Sequence, residues 1–241
     1  METKVFFIVL IASVLHALWN SMVKKHDDKV VAVSGIVFGH VPLSILAIII
    51  LPLPNKEVIP YIIISALIHQ GYQWYLLTSY QYGDFTKVYP IARGFGPIVV
   101  TIISIIFLGL TIHNLAIFSI LLICLGIMFV GVFDYDAFKN LNILKYSLLT
   151  GFFIGLYSLV DGYGARISLS TVTYMSWSFV LSSLMFSILL KIKKYKYVFK
   201  KIMNEGKQIF LIGGTLSYVI YYCCVGIYPS SNTNGSSFKR I

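Results

Sequence analysis

Arg93 stands in a stretch that otherwise reads as a membrane-crossing helix, four residues after Tyr89 and close to Pro90, Gly94 and Pro97. An ionisable side chain at membrane depth is costly, so it faces an enclosed cavity or a partner rather than lipid. Its planar guanidinium makes forked hydrogen bonds, which suits a substrate carboxylate or phosphate, and Tyr89 is placed to donate beside it. The structural alternative makes Arg93 a cap for carbonyls freed around the two prolines, or a side chain snorkelling to the nearby interface. Tyr89 would then belong to an interfacial aromatic belt. Prolines and glycines here are expected to loosen the helix, which lipid tolerates only where the backbone lines a protein-enclosed space. Asp84 and Lys87, just upstream, read as loop residues that fix the helix start, or as gating groups.

Other polar side chains interrupt apolar runs in the same way. His16 and Asn20 are four apart and share a helix face, with Trp19 beside them. That face suits either interhelical hydrogen bonds or a cavity wall. Gln73 and Trp74 offer hydrogen bonding and stacking to a ligand. Asp161 is expected at the end of a span, as a helix-end acid in a glycine-rich turn or as a proton-coupling carboxylate. His40 and His69 stand alone, and no His/Asp/Glu spacing suggests a metal. Neither a nucleophile–base pair nor a phosphate loop is present, so no catalytic residue, enzymatic activity or cofactor is expected. Cys124, Cys223 and Cys224 give neither a metal spacing nor a disulfide frame.

The elements that must hold these residues follow from composition. Of 241 residues, 58% are hydrophobic and 12% charged, against roughly 25% charged in a soluble domain. With a mean hydropathy of +0.83, the chain reads as an all-α integral membrane protein. Eight spans are expected, at 5–23, 30–51, 58–80, 88–109, 115–133, 145–160, 172–190 and 209–227. The first is read as a retained helix rather than a signal peptide, because no small-residue cleavage site follows it.

The net charge of +10 does not indicate nucleic acid, since the basic residues lie between apolar spans. Seven lysines fall between 191 and 207 against one acid, Glu205. Together with Lys24, Lys25, Lys29, Lys87, Lys139 and Lys145 they put thirteen cations on one side, against three or five on the other. The lysine loop 191–207 is therefore expected in the cytoplasm, facing anionic lipid, with the N-terminus outside.

An internal repeat is visible. Leu18-Trp19-Asn20 aligns with Leu156-Tyr157-Ser158 at an offset of 138 residues. Five spans separate the copies, and an odd number inverts the second in the membrane, as in inverted-repeat transporters.

These residues resemble a known family. Leu15-His16-Ala17-Leu18-Trp19-Asn20 resembles the opening helix of EamA-like members of the drug/metabolite transporter superfamily. Gly83-Asp84 with Val88-Tyr89-Pro90-Ile91-Ala92-Arg93-Gly94 and Pro97 is similar to that family's third-to-fourth helix junction, and 157–166 resembles the end of its sixth helix. The resemblance implies an inner-membrane permease of ten helices, built as two inverted five-helix repeats around a central cavity. It would move a small metabolite or drug-like solute by alternating access, with an unidentified coupling ion and the lipid bilayer as surroundings. Substrate identity does not transfer, and a homodimer is a further possible arrangement.

Residues 1–135 would form the first repeat and 145–227 an incomplete second repeat of three helices. After Tyr222 the composition changes, and 228–241 is polar, rich in Ser and Asn, and unable to span lipid. Codons exist for 224–232 that, read one base out of register, encode Val-Trp-Ala-Phe-Thr-Gln-Ala-Pro-Ile. The expectation is an out-of-frame tail and two missing helices. The alternative function is then a transport-inactive remnant or a membrane assembly protein.

Overall fold

The structure is a computed structural model that describes residues 3–132 and 140–215, and all its regular elements are helical. In chain order they are α1 (Thr3–Lys25), α2 (Lys29–Gly39), α3 (Val41–Ile50), α4 (Ile59–Tyr82), α5 (Phe85–Ile106), α6 (Asn114–Val132), α7 (Leu141–Ile167), α8 (Thr171–Ile192) and α9 (Val198–Asn204). A 3₁₀ turn precedes α4 at Lys56–Val58, and a π turn covers Ile209–Gly213. Among the described residues five segments are long and apolar enough to cross a membrane: Lys29–Ile50, Phe85–Ile106, Asn114–Val132, Leu141–Ile167 and Thr171–Ile192. α4 is 24 residues long, but His69, Gln70 and Gln73 dilute its apolar run and it is not among the five. The eighth expected span is described only to residue 215, and the polar tail lies outside the described residues.

The chain divides into two compact units, Met1–Ala66 with Asp161–Ile241 and Leu67–Val160. The division does not follow chain order, because α4 and α7 each begin in one unit and end in the other.

In the first unit the α1–α2 corner is closed by two neighbouring side chains. Lys29 donates through Nζ to the carbonyls of Val23, Lys24 and His26 at 3.1, 2.8 and 2.6 Å, satisfying the end of α1. Asp28 caps α2, accepting from the amides of Val30 and Val31 at 3.0 and 3.2 Å. The span beginning at Lys29 is broken at His40, since Pro42 in the first turn of α3 has no amide hydrogen to continue the ladder. Ser183 of α8 donates to the Val37 carbonyl of α2 at 2.9 Å. Val58, Ile62, Ala165, Tyr174, Met175 and Phe179 form an apolar cluster between the start of α4, the end of α7 and α8.

The second unit packs α5 against α6 and α7 through small residues. A Cβ on Gly94 would lie 2.6 Å from the Cys124 carbonyl of α6, and one on Gly151 would lie 2.6 Å from the Ala92 carbonyl of α5. Small residues at such crossings are how apolar helices approach closely without a hydrophobic driving force between them. α5 is continuous through Pro90 and Pro97, contrary to the expected loosening. The close contacts on either side hold it, although the prolines leave the Thr86 and Arg93 carbonyls without their usual i+4 donors. α6 is apolar around its circumference, and Phe118, Leu122, Leu125 and Phe129 all stand exposed.

Candidate functional site

Residues four apart on a helix share a face, and on α5 this stacks Phe85, Tyr89 and Arg93 in one row. The Phe85 and Tyr89 rings are 4.8 Å apart and nearly parallel at 14°, and the Arg93 guanidinium carbon lies over the Tyr89 ring, 5.4 Å from its centroid. Tyr80, at the end of α4, extends the row back across the α4–α5 turn by stacking on Phe85 at 6.0 Å. The result is an aromatic ladder ending in a cation.

A second aromatic group stands on α4 and α7. The His69 ring stacks on Tyr157 at 4.3 Å, and Tyr72 meets Tyr157 edge-on at 5.5 Å. Ala92 and Ile154 close this group from α5 and α7, with Ile68 packed against it. Tyr72 and Tyr80 both lie within electrostatic reach of Tyr89 and Arg93. Among the described residues of this unit the charged side chains are Asp84, Lys87, Arg93 and Lys145, three cations against one acid. Such a site presents a planar cation, tyrosine hydroxyls and aromatic faces. It can hold an anionic or polar group against the guanidinium while a flat apolar portion stacks beside it.

The residues singled out in the sequence fall differently. Tyr89 and Arg93 come together as expected. Gln73 is buried on α4, one turn from His69, while Trp74 is half-buried beside it. Asp84 precedes α5 and is exposed. Its carbonyl accepts from the amides of Lys87 and Val88 at 3.0 Å, but its side chain makes no capping bond. Lys87 lies half-buried in the first turn of α5. Asn20 is buried near the end of α1, whereas the side chains of His16 and Trp19 lie outside the described residues. Asn20 belongs to the first unit, and Gln73, Trp74, Tyr89 and Arg93 to the second.

Asp161 corrects an expectation. It does not end a helix, because α7 continues to Ile167. It is buried, and the equally buried Tyr174 of α8 donates to its Oδ1 at 2.9 Å. The glycine at 164 has a tertiary reason. A Cβ on Gly164 would lie 2.6 Å from Cζ of Tyr174, so the glycine makes room for the ring that reaches Asp161.

His69, Tyr72, Tyr80 and Tyr157 were not singled out as site residues. The available signal was the spacing of His69, Tyr72 and Gln73 at i, i+3 and i+4, which places three polar or amphipathic groups on one helix face. Among the described residues no group of three or more His, Cys, Asp or Glu is placed to hold a metal. No family model matches the chain, and no curated protein and no solved structure matches it either.

Proposed function

We propose that the chain is a multi-pass plasma-membrane permease that moves a small metabolite or drug-like solute by alternating access. The observation that carries this reading is Arg93, a charged residue within an apolar helix, at the end of an aromatic row and over the Tyr89 ring. An intramembrane cation marks a solute or ion path by default, since burying it without use is costly. The eight expected spans, their inverted repeat and the cytoplasmic lysine loop belong to the same proposal. Of the residues named in the sequence, Arg93, Tyr89 and Gln73 are assigned to solute binding, with Tyr72 and Tyr157 added. Asp84 and Lys87 are assigned to the start of α5 rather than to a gate.

The test uses the purified full chain in lipid nanodiscs, screened by thermal shift against small carboxylates, phosphates, amino acids and amphipathic drugs. A ligand at about 100 times its Kd stabilises by about 2.7 kcal/mol, which is readily read as a raised midpoint. Each compound that stabilises the protein is then offered to liposomes containing it. Uptake or exchange above that of empty liposomes, lost in Arg93→Ala, supports the reading. Stabilising compounds that never cross the membrane in the wild-type protein overturn it.

A further inference from the structure

Asp161 is the only Asp, Glu, Lys or Arg buried among the described residues. It lies within a membrane-length helix, six residues or about 9 Å before its end. Its Oδ1 accepts the Tyr174 hydroxyl at 2.9 Å, and Tyr174 has no solvent exposure. Ser65 of α4 and Ser178 of α8, both buried, lie within electrostatic reach of the same tyrosine hydroxyl. A carboxyl and a phenol thus meet where α7 and α8 pack, with buried hydroxyls of α4 and α8 nearby, in the unit that does not hold Arg93.

Other titratable groups stand on or beside these elements. Tyr163 faces Tyr61 of α4, with ring centroids 5.0 Å apart, and senses Glu57 from the turn before it. Arg166 is five residues beyond Asp161, about 140° around the helix. His40, at the α2–α3 junction, stacks on Phe179 at 4.7 Å. Tyr174 donates directly to the carboxyl.

We propose that Asp161, positioned by Tyr174, is a proton-binding site within the membrane-crossing part of the chain. In the charged form the carboxylate accepts the tyrosine hydroxyl, which keeps its own proton. On protonation a new O–H bond forms at the carboxyl with a proton taken from water at the nearby end of α7, and release breaks that bond and returns the proton. The neutral carboxyl no longer requires a donor, so the tyrosine hydroxyl is free to turn towards Ser65 or Ser178. Protonation is thereby linked to the packing of α4, α7 and α8. A metal cation is disfavoured, because a hydroxyl hydrogen already points at Oδ1 and hard cations gather several oxygen ligands. Use of the proton to drive solute movement rests on the transporter reading, but the site itself does not.

The test is labelling of the full chain in nanodiscs with dicyclohexylcarbodiimide, an apolar reagent that adds to protonated carboxyls, followed by mass spectrometry of the Asp161 peptide. Label at Asp161 is expected to fall about tenfold over about two pH units through one midpoint. Tyr174→Phe is expected to retain label to higher pH, since the donor that favours the carboxylate is gone. Both measurements use folded protein, checked by size-exclusion profile, so they stand even if Asp161→Asn fails to assemble. Label that is absent at every pH, or does not change with pH, overturns the proposal. So does an unshifted midpoint in Tyr174→Phe, or protection by sodium chloride but not choline chloride at constant pH. None of these readouts needs a transported solute, so failure of the proton site is separable from failure of the permease reading.

Discussion

The Arg93 guanidinium lies over the Tyr89 ring, one helical turn earlier on α5, with its carbon 5.4 Å from the ring centroid. Pro97 leaves the carbonyl of Arg93 without its i+4 donor, so both ends of this residue depart from an ordinary helix position. The aromatic face fixes the plane of the guanidinium. A point charge on a flexible stem has no such plane to fix.

Arg93→Lys is therefore expected to fold but to bind any solute of this site about tenfold more weakly, a loss of about 1.4 kcal/mol. Arg93→Ala loses the ring contact as well, worth about 0.5–2 kcal/mol of stability. Ligand-dependent and ligand-free thermal shifts measured side by side separate the two effects. A lysine variant that binds as tightly as the wild type would remove Arg93 from the site.

The crossing of α5 and α7 sets a second expectation. A Cβ on Gly151 would lie 2.6 Å from the Ala92 carbonyl and 2.9 Å from Cβ of Phe95, both of which move only with α5. Gly151→Ala is expected to cost about 1–3 kcal/mol through overpacking. At Gly126, on α6, the added Cβ meets nothing within 4 Å. Gly126→Ala is expected to be neutral or to stabilise by up to about 1 kcal/mol, because alanine is the better helix former. Denaturation in detergent of the two variants reads the contrast directly, and equal effects would contradict the close crossing.

Legibility in the sequence followed the range of the interactions. Helix positions were readable because apolar runs and their polar interruptions are local, and α1, α5 and α8 begin and end within a few residues of expectation. The row of Tyr89 and Arg93 was readable for the same reason, being an i, i+4 pair. The end of α7 was misread because Gly162 and Gly164 are local breakers, whereas the packing that calls for a glycine at 164 comes from Tyr174 on another helix. The break at His40 was missed because hydropathy continues unbroken across Pro42. The meeting of His69 with Tyr157 joins residues 88 positions apart, which no periodicity within α4 reveals.

Lysine placement yields a topology test. Lys191, Lys193, Lys194 and Lys196 follow the apolar run of α8 directly, and the proposed topology puts them in the cytoplasm because an excess of cations favours that side. In a variant with Cys124, Cys223 and Cys224 replaced by serine, a cysteine at Lys196 is expected to resist a membrane-impermeant maleimide in intact cells and to react after lysis. Labelling in intact cells would invert the orientation.

The ion pair beside this loop carries a pH dependence whose direction can be worked out. Lys201 of α9 donates to Asp28 Oδ2 at 3.0 Å, while Asp28 Oδ1 accepts two amides of α2. Burial pushes the Asp28 carboxyl up, but Lys201 and the Val30 and Val31 amides together outweigh it and hold the carboxyl below its ordinary 3.8. A carboxyl lowered on folding contributes stability above pH 3.8 that is lost as pH falls through the lower folded value. Lys201 is raised above 10.5, chiefly by its bond to Asp28, so its contribution is complete below pH 10.5 and is lost above it. Asp28→Asn keeps an acceptor for the α2 cap and removes the charge, and is expected to flatten both limbs of the stability curve. Asp28→Ala removes the cap too and costs about 1 kcal/mol more at neutral pH. Unfolding midpoints of the three proteins in detergent across pH check this. An asparagine variant that keeps the acid limb of the wild type would move the origin of that limb away from Asp28.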